Sequence, residues 1–300
     1  MQMKIFLTGG TGFIGSYVVK ELSDSNHEIT ILARNTNKVP NLRSLKGVSI
    51  VKGELSSKNV IKENLKDKDI CIHIALGWGD DAIAMLINDT FPSISIFETS
   101  AELEIKHLIY TSSTAAIGRY DIDINSTTKT TPKDYYGATK ASSETFLHAL
   151  SYQYPMRCNI IRPGYTFGNP VIEGADIESD DRFKNIIEKA KNNEDIILAK
   201  YDGTQFIWAG DLAKVYLKLV ETNFNRGYYF GLGSNFITWK QIAKEAIDQI
   251  NSSSNIKLVD EGYSPVPPIF DVSPIKTDLG LEFDSWDRIK EHIKFLIEKV

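Results

Sequence analysis

The chain predicts an α/β fold built on a doubly wound parallel sheet, and three observations predict it. Short apolar runs alternate with helical stretches through the first half of the 300 residues. Those runs are apolar almost throughout, as strands covered on both faces must be. Directly after the first run comes a glycine-rich turn, Gly9-Gly10-Thr11-Gly12-Phe13-Ile14-Gly15, opening onto an amphipathic helix.

Lys4–Leu7 reads as the first strand and Gly12–Ser23 as its helix, with Ile14, Tyr17, Val18 and Leu22 at helical spacing. Glu28–Ala33 and Val48–Lys52 read as the next strands, and Asn59–Leu65 as a polar helix. Asp69–Ala75 is a strongly apolar strand, Asn88–Leu103 a helix, His107–Ser112 a strand, Tyr136–Tyr152 a helix and Arg157–Arg162 a strand. After Pro163 the alternation stops. Gly164–Asp181 reads as loop, Asp181–Asn192 as a charged helix and Tyr263–Pro274 as a proline-rich loop, while Trp239–Asn251 and Ser285–Lys299 read as amphipathic helices. The expected layout is a sheet domain of residues 1–163 plus about 205–235 and a smaller, discontinuous C-terminal α+β substrate domain of 164–204 plus 236–300, lying where ligands of such sheets bind.

A net charge of −5 lacks the basic footprint of a nucleic-acid binder. Cys71 and Cys158 lie inside apolar runs and read as buried thiols of a reducing compartment. Two such cysteines and five scattered histidines make no metal site. No apolar stretch approaches the roughly 20 residues that span a bilayer. The first strand begins so near Met1 that no signal peptide is expected. The expectation is a soluble, cytoplasmic protein whose partner is a small molecule, with no nucleic acid, membrane or metal.

A strand, a glycine turn and a helix N-terminus form a cradle for a pyrophosphate. Glycine permits the tight turn and the close backbone approach, and the helix start offers unpaired N–H groups to the anion. A glycine turn without ligand is the alternative, but four glycines in seven positions cost stability unless something needs them. Tyr136 and Lys140 stand one helical turn apart. A neighbouring ammonium favours the phenolate and lowers the tyrosine pKa, which makes the side chain usable as an acid or base. The strand before that helix ends in Ser112-Ser113-Thr114, where a hydroxyl can meet a substrate oxygen; turn chemistry or capping is the competing role for any one of the three.

Taken together these residues resemble the extended short-chain dehydrogenase/reductases, the NAD-dependent epimerase/dehydratase family with its Rossmann sheet. Thr8, Gly9, Gly12 and Gly15 match the family's T-G-x-x-G-x-x-G turn, and Ser113, Tyr136 and Lys140 its Ser/Thr and Y-x-x-x-K positions. Asn88 is similar to an asparagine that opens the helix before the catalytic strand. Arg162-Pro163-Gly164, Phe167-Gly168 and Asp211-Leu212-Ala213 resemble later family segments. The resemblance implies that Tyr136 exchanges the substrate proton, Lys140 holds the nicotinamide ribose and lowers the tyrosine pKa, and Ser113 orients the substrate oxygen. It implies a cofactor site of Gly9, Gly12, Phe13, Ile14, Gly15, Arg34, Glu54, Leu55, Ala75, Tyr136, Lys140 and Pro163. Substrate contacts are expected from Trp78, Asn88, Ser113, Thr114 and Tyr165, with the loop Gly77-Trp78-Gly79-Asp80-Asp81 covering the nicotinamide. A homodimer through the helices at Asn88–Leu103 and Tyr136–Tyr152 is the family's usual arrangement.

The second strand ends Leu32-Ala33-Arg34-Asn35 with no carboxylate for the adenosine ribose, and Arg34 can clamp a 2′-phosphate, so NADP is favoured over NAD. Where the family's nucleotide-sugar enzymes carry an arginine, this chain has Thr204, and Pro267–Asp271 lacks a second one. Arg182, Lys184 and Arg226 are the cations available in their place, and Trp78, Trp208 and Tyr165 the aromatics for a more apolar pocket. The expected activity is Tyr-assisted hydride transfer on a (nucleotide-)sugar, by an epimerase or dehydratase. The alternative is an NADP-dependent carbonyl reductase or alcohol dehydrogenase resembling dihydroflavonol reductase. A non-catalytic NADP sensor is disfavoured by the intact Ser113, Tyr136 and Lys140.

Overall fold

The computed structural model describes residues 2–118, 120–177 and 180–299. Strands β1 (Lys4–Thr8), β2 (Glu28–Ala33), β3 (Val48–Lys52), β4 (Ile70–His73), β5 (His107–Thr111) and β6 (Arg157–Pro163) alternate with helices α1 (Phe13–Asp24), α2 (Lys58–Leu65), α3 (Ala82–Met85), α4 (Phe91–Glu102) and α5 (Tyr135–Gln153). Further on come β7 (Thr166–Phe167), α6 (Arg182–Lys191), β8 (Ile196–Ala199), β9 (Gly203–Thr204), β10 (Ile207–Trp208), α7 (Ala209–Glu221) and β11 (Tyr228–Gly231). The chain ends with β12 (Ile237–Thr238), α8 (Trp239–Ile250), β13 (Ile256–Val259), α9 (Ser273–Leu279) and α10 (Trp286–Lys299).

Seven strands form one parallel sheet in the order β11-β6-β5-β4-β1-β2-β3. The order reverses between β1 and β4, which opens a crevice at their C-terminal ends, the place where such sheets bind ligands. Side chains alternate across β1: Ile5 and Leu7 enter the core under α1 and α7, and Phe6 enters the core under α2, α4 and α5. Both cores are apolar, so every strand between them reads as a continuous hydrophobic run. A third core, built on Phe167, Phe183, Phe206 and Trp239, packs α6, α8 and α10 together beyond the sheet. There the chain makes three two-stranded pairs, β10-β7, β12-β9 and β13-β8.

Two expectations need correcting. The helix expected to open at Asn88 begins at Ala82, where Asp81 accepts a hydrogen bond from the Ala84 N–H at 2.8 Å and caps it. From there one helical run reaches Glu102, interrupted by a π-turn at Leu86–Thr90. Pro92 lies just beyond that turn; it lacks an N–H and crowds the Asn88 carbonyl four residues back, and the Phe91 N–H bonds to Leu86 instead. The stretch read as a proline-rich loop contains the start of α9, with Pro274 in the helix's first turn, a position where its missing N–H costs nothing.

The segment that resembled a family motif at Arg162 has a structural task. Arg162 and Glu144 are both buried and share two hydrogen bonds, at 2.8 and 2.7 Å, that tie β6 to α5. The guanidinium also stacks 4.7 Å from the Tyr228 ring centroid. Removing one member of such a pair leaves a buried charge without its counter-ion. Glu144→Ala is therefore expected to lower unfolding free energy by about 3–5 kcal/mol, read as a shift of the urea midpoint at unchanged slope.

Candidate active site

The glycine turn packs against the chain after β4 at distances that only glycine tolerates. Gly9 has φ of +80°, and a Cβ there would stand 2.6 Å from the Ala75 nitrogen. A Cβ on Gly15 would stand 2.0 Å from the Gly9 carbonyl oxygen. Gly12 is the N-cap of α1 and supplies no side chain to its first N–H groups, and the first turn holds no acidic residue. These donors and the dipole end are left for an anion. The cradle fits the pyrophosphate of a dinucleotide.

Two cavities flank the turn. One, of about 610 Å³, is lined by Gly9, Gly12, Arg34, Glu54, Leu55 and Ala75 among others. Arg34 stands exposed at its open end with no carboxylate in sequence beside it, and Lys38, also lining it, is held by Asp176 at 2.6 Å. The other, of about 260 Å³, brings together Phe13, Ile14, Ser113, Tyr136, Pro163 and Tyr165. The cofactor residues expected from sequence thus line the two cavities, with the exception of Gly15, which shapes the turn, and Lys140, which lies beneath Tyr136. Trp78 and Asn88, expected as substrate contacts, line the Arg34 cavity instead. Asn88 donates to the Trp78 carbonyl at 2.8 Å, and the exposed Trp78 ring leans on Tyr136 with centroids 6.4 Å apart. Trp208 lines none of these cavities; it packs on Tyr17 and under Arg288. Arg226 is bound to Ser151 and stacked on Tyr152, and Lys184 pairs with Glu188, so neither stands at the site.

Helix α5 presents Tyr136 and Lys140 on one face because Asp134 caps it, accepting from the Gly137 N–H at 2.6 Å. Gly137 lets this turn close on the segment after Ser113, since a Cβ would meet the Ala115 carbonyl at 2.4 Å. Ser113 accepts from the Ala115 N–H at 3.1 Å, which fixes its hydroxyl toward the Tyr136 side.

The residue that sequence reasoning missed is Asp89. It sits in the π-turn, fully buried, with Oδ1 accepting from the Gly77 N–H at 3.0 Å and Oδ2 3.5 Å from the Lys140 ammonium. It is Asp89, not Asn88, that the helix turns toward the site. A relay of buried polar groups holds it there. The Ala75 N–H donates to Thr8 Oγ1 at 3.3 Å, Thr8 meets His73 Nδ1 at 2.6 Å, His73 Nε2 meets Ser93 Oγ at 2.9 Å, and Ser93 donates to the Asp89 carbonyl at 2.7 Å. Because Ser93 spends its proton on that carbonyl, His73 must donate from Nε2 and accept at Nδ1. The ring is neutral: burial, with the Lys140 charge adding, pushes its pKa down to about 3. The sequence clue was an acidic residue three positions before a proline.

Asp89 also reverses an expectation. The Tyr136 pKa lies above the ordinary phenol value, not below it. Burial raises it most; the Ser113 hydrogen bond lowers it, and the Asp89 and Asp134 carboxylates raise it. Burial opposes the Lys140 charge too, but Tyr110 and Asp89 outweigh it and hold the ammonium above its ordinary value. Lys140 remains charged, yet its field at Tyr136, 5.8 Å from Nζ to the ring centroid, is offset by its counter-ion.

Tyr165 also borders a separate cavity of about 830 Å³, walled by Thr114, Arg182, Thr204 and Trp239 among others. Arg182 lies across the rings of Trp239 and Tyr165, 4.5 and 5.1 Å from their centroids, and donates from Nε to both oxygens of Asp180 at 3.1 and 2.9 Å. Among the described residues no cluster of His, Cys, Asp or Glu could hold a metal, and no helix is long and apolar enough to cross a membrane. Both cysteines are free and buried, with burial pushing each thiol up to about 12.

The model of the NAD dependent epimerase/dehydratase family matches residues 5–229. A sterol-4-alpha-carboxylate 3-dehydrogenase (decarboxylating) of Dictyostelium discoideum is 29% identical over 180 residues, 55% of this chain and 54% of that protein. The chain thus spans about half the length of that curated relative. A putative UDP-glucose 4-epimerase of Methanocaldococcus jannaschii is 26% identical over 225 residues, 71% of this chain and 72% of that protein. The crystal structure of the Bordetella bronchiseptica enzyme WbmG in complex with NAD and UDP superposes with a TM-score of 0.82 over 100% of this chain and 95% of that one, at 17% identity, a likeness of fold.

Asp89→Asn keeps the shape of the side chain and removes its charge. The first ionisation of the coupled Tyr136–Lys140 pair is expected to fall by about one pH unit or more, since a negative charge that held both protons is gone. The basic limb of the kcat/KM profile reads this shift, and an unmoved limb contradicts the role given to Asp89.

Proposed function

The chain belongs to the NAD dependent epimerase/dehydratase family, enzymes of the short-chain dehydrogenase/reductase superfamily, and from that premise we propose that it interconverts a carbinol and a carbonyl on a small substrate by Tyr136-assisted hydride transfer. The observation that carries the proposal is one cavity holding Ser113 and Tyr136 beside Phe13, Ile14 and Pro163, with the charged Lys140 beneath. A bound nicotinamide dinucleotide supplies the hydride donor or acceptor. Gly9, Gly12 and Gly15 shape its pyrophosphate cradle, and Ala75, Leu55, Glu54 and Arg34 wall the adenosine side. Ser113 orients the substrate oxygen. Tyr136 takes the hydroxyl proton as a carbinol is oxidised and returns it when a carbonyl is reduced. Its raised pKa keeps the proton in place near neutrality, which suits the reducing direction.

Two substrate classes suit this chemistry. A nucleotide sugar, epimerised or dehydrated with the cofactor regenerated each cycle, is supported by the likeness to a putative UDP-glucose 4-epimerase. A phosphate-free alcohol or carbonyl compound, handled with an exchangeable cofactor, is supported by the relative named as a sterol dehydrogenase and by Arg34 at the cofactor cavity. NADP is the proposed cofactor on the strength of that same guanidinium. A cytoplasmic homodimer through α4 and α5 completes the proposal, supported by Phe91 and Phe146, which stand 70% and 54% exposed there; sedimentation velocity at micromolar concentration is expected to give the dimer mass.

Tyr136→Phe is expected to lower kcat about 10²–10⁴-fold while dinucleotide affinity stays within about twofold. Turnover close to wild type in that variant removes the assignment. Arg34→Ala is expected to weaken NADPH binding by about tenfold or more and NADH binding little, measured by fluorescence titration.

A further inference from the structure

We infer that the wide cavity beyond Tyr165 recognises an uncharged, phosphate-free, ring-bearing carbonyl or carbinol compound and disfavours a nucleoside diphosphate. The inference rests on the hydride-transfer reading of the Tyr136 site, because it concerns the substrate presented to it.

The cavity is large enough for a drug-sized molecule, at about 830 Å³, and Tyr165 lines both it and the smaller cavity of Ser113 and Tyr136. A substrate lying in it therefore reaches the acid–base pair. Its described charged lining consists of three carboxylates, Asp121, Asp123 and Asp202, and one guanidinium, Arg182. A pyrophosphate entering this space needs cations that are not already paired, because stripping water from a dianion is costly without charge-assisted hydrogen bonds.

Arg182 does not offer that. Its Nε bonds both Asp180 oxygens, its NH2 group lies 2.8 Å from Asp180 Oδ2, and the Asp180 oxygen also takes the Arg182 backbone N–H at 2.8 Å. Although burial alone raises it, the Asp180 carboxyl is held below its ordinary value by this arginine. The guanidinium, half exposed, also lies against the Trp239 and Tyr165 rings, so this cation already has a carboxylate and two rings as partners. Elsewhere the wall is aromatic and proline-rich, with Phe236, Phe270, Pro267 and Pro268. The hydroxyl and amide groups of Thr114, Thr204 and Gln205 are neutral, and Gln205 is itself spent on backbone groups of Gly233 and Phe270. Such a surface stacks rings and leaves phosphate unpaired.

The test is titration calorimetry on the full chain saturated with NADP+, using UDP-glucose and acetophenone as probes. Wild type is expected to bind acetophenone more tightly than UDP-glucose. Asp180→Asn, which releases Arg182, is expected to tighten UDP-glucose by about tenfold; Asp202→Asn repeats the comparison if the first variant does not fold. Tighter binding of UDP-glucose than of acetophenone by wild type, or no tightening in a folded variant, overturns the inference. Because the readout is binding, its failure is distinct from failure of the hydride-transfer reading, which shows only as turnover retained in Tyr136→Phe.

Discussion

The ion pair between Lys140 and Asp89 is the constraint around which the site is arranged. Both side chains are almost wholly removed from water, and neither charge is tolerable there alone. Lys140 lies on α5 one turn from Tyr136, beneath its ring. Asp89 must then be carried in from the opposite helix, and a regular α-helix interrupted by Pro92 cannot hold its ladder there. The π-turn resolves this by widening one turn, and Gly77 permits the preceding loop to lie on it: a Cβ there would stand 1.8 Å from the Asn88 carbonyl oxygen. The relay from Ala75 through Thr8, His73 and Ser93 then fastens that turn to β1 and β4, the two strands that flank the switch point.

This connection joins the two ends of the cofactor crevice. The Ala75 nitrogen that begins the relay is the atom against which Gly9 packs. The glycine turn, the strand ends and the Tyr136–Lys140 pair are therefore positioned by one contiguous set of buried contacts. A neutral His73 is needed at its centre, because only a ring with one donor and one acceptor can pass the hydrogen-bond direction from Thr8 to Ser93. Tyr136 holds its proton more firmly than the Tyr-Lys spacing suggests chiefly because it is buried, and in lesser part because the lysine arrives with its own counter-ion.

The substrate side follows different physics. Its hydrophobic core sets the rings of Phe167, Phe183, Phe206 and Trp239 among aliphatic side chains, and Arg182 lies at its rim against Trp239 and Asp180. The described cation of that wall is already paired with a carboxylate, while the sheet side keeps Arg34 exposed at its cavity. The two sides thus differ in character, a glycine turn and an exposed guanidinium on one, a wall of rings, prolines and carboxylates on the other.

The alternation of strands and helices, the limits of β2 and β3, the glycine turn, and the placement of Ser113, Tyr136 and Lys140 were legible in the amino-acid order, because each depends on local periodicity or on a fixed spacing along one element. The short strands after Pro163 were not assigned, since their pairing is set by distant partners such as Thr204 with Ile237 and not by a pattern within them; α7 was left unassigned although Leu212, Val215, Tyr216 and Leu219 carry its helical spacing. Asn88 was chosen where Asp89 is the residue that meets Lys140, because one residue of helical phase in a π-turn cannot be read from spacing that assumes a regular helix. The sequence by itself determined which groups could do chemistry. Tertiary structure alone decided which of their charges remain available, because pairing Asp89 with Lys140 depends on the distance between two helices and on the exclusion of water between them.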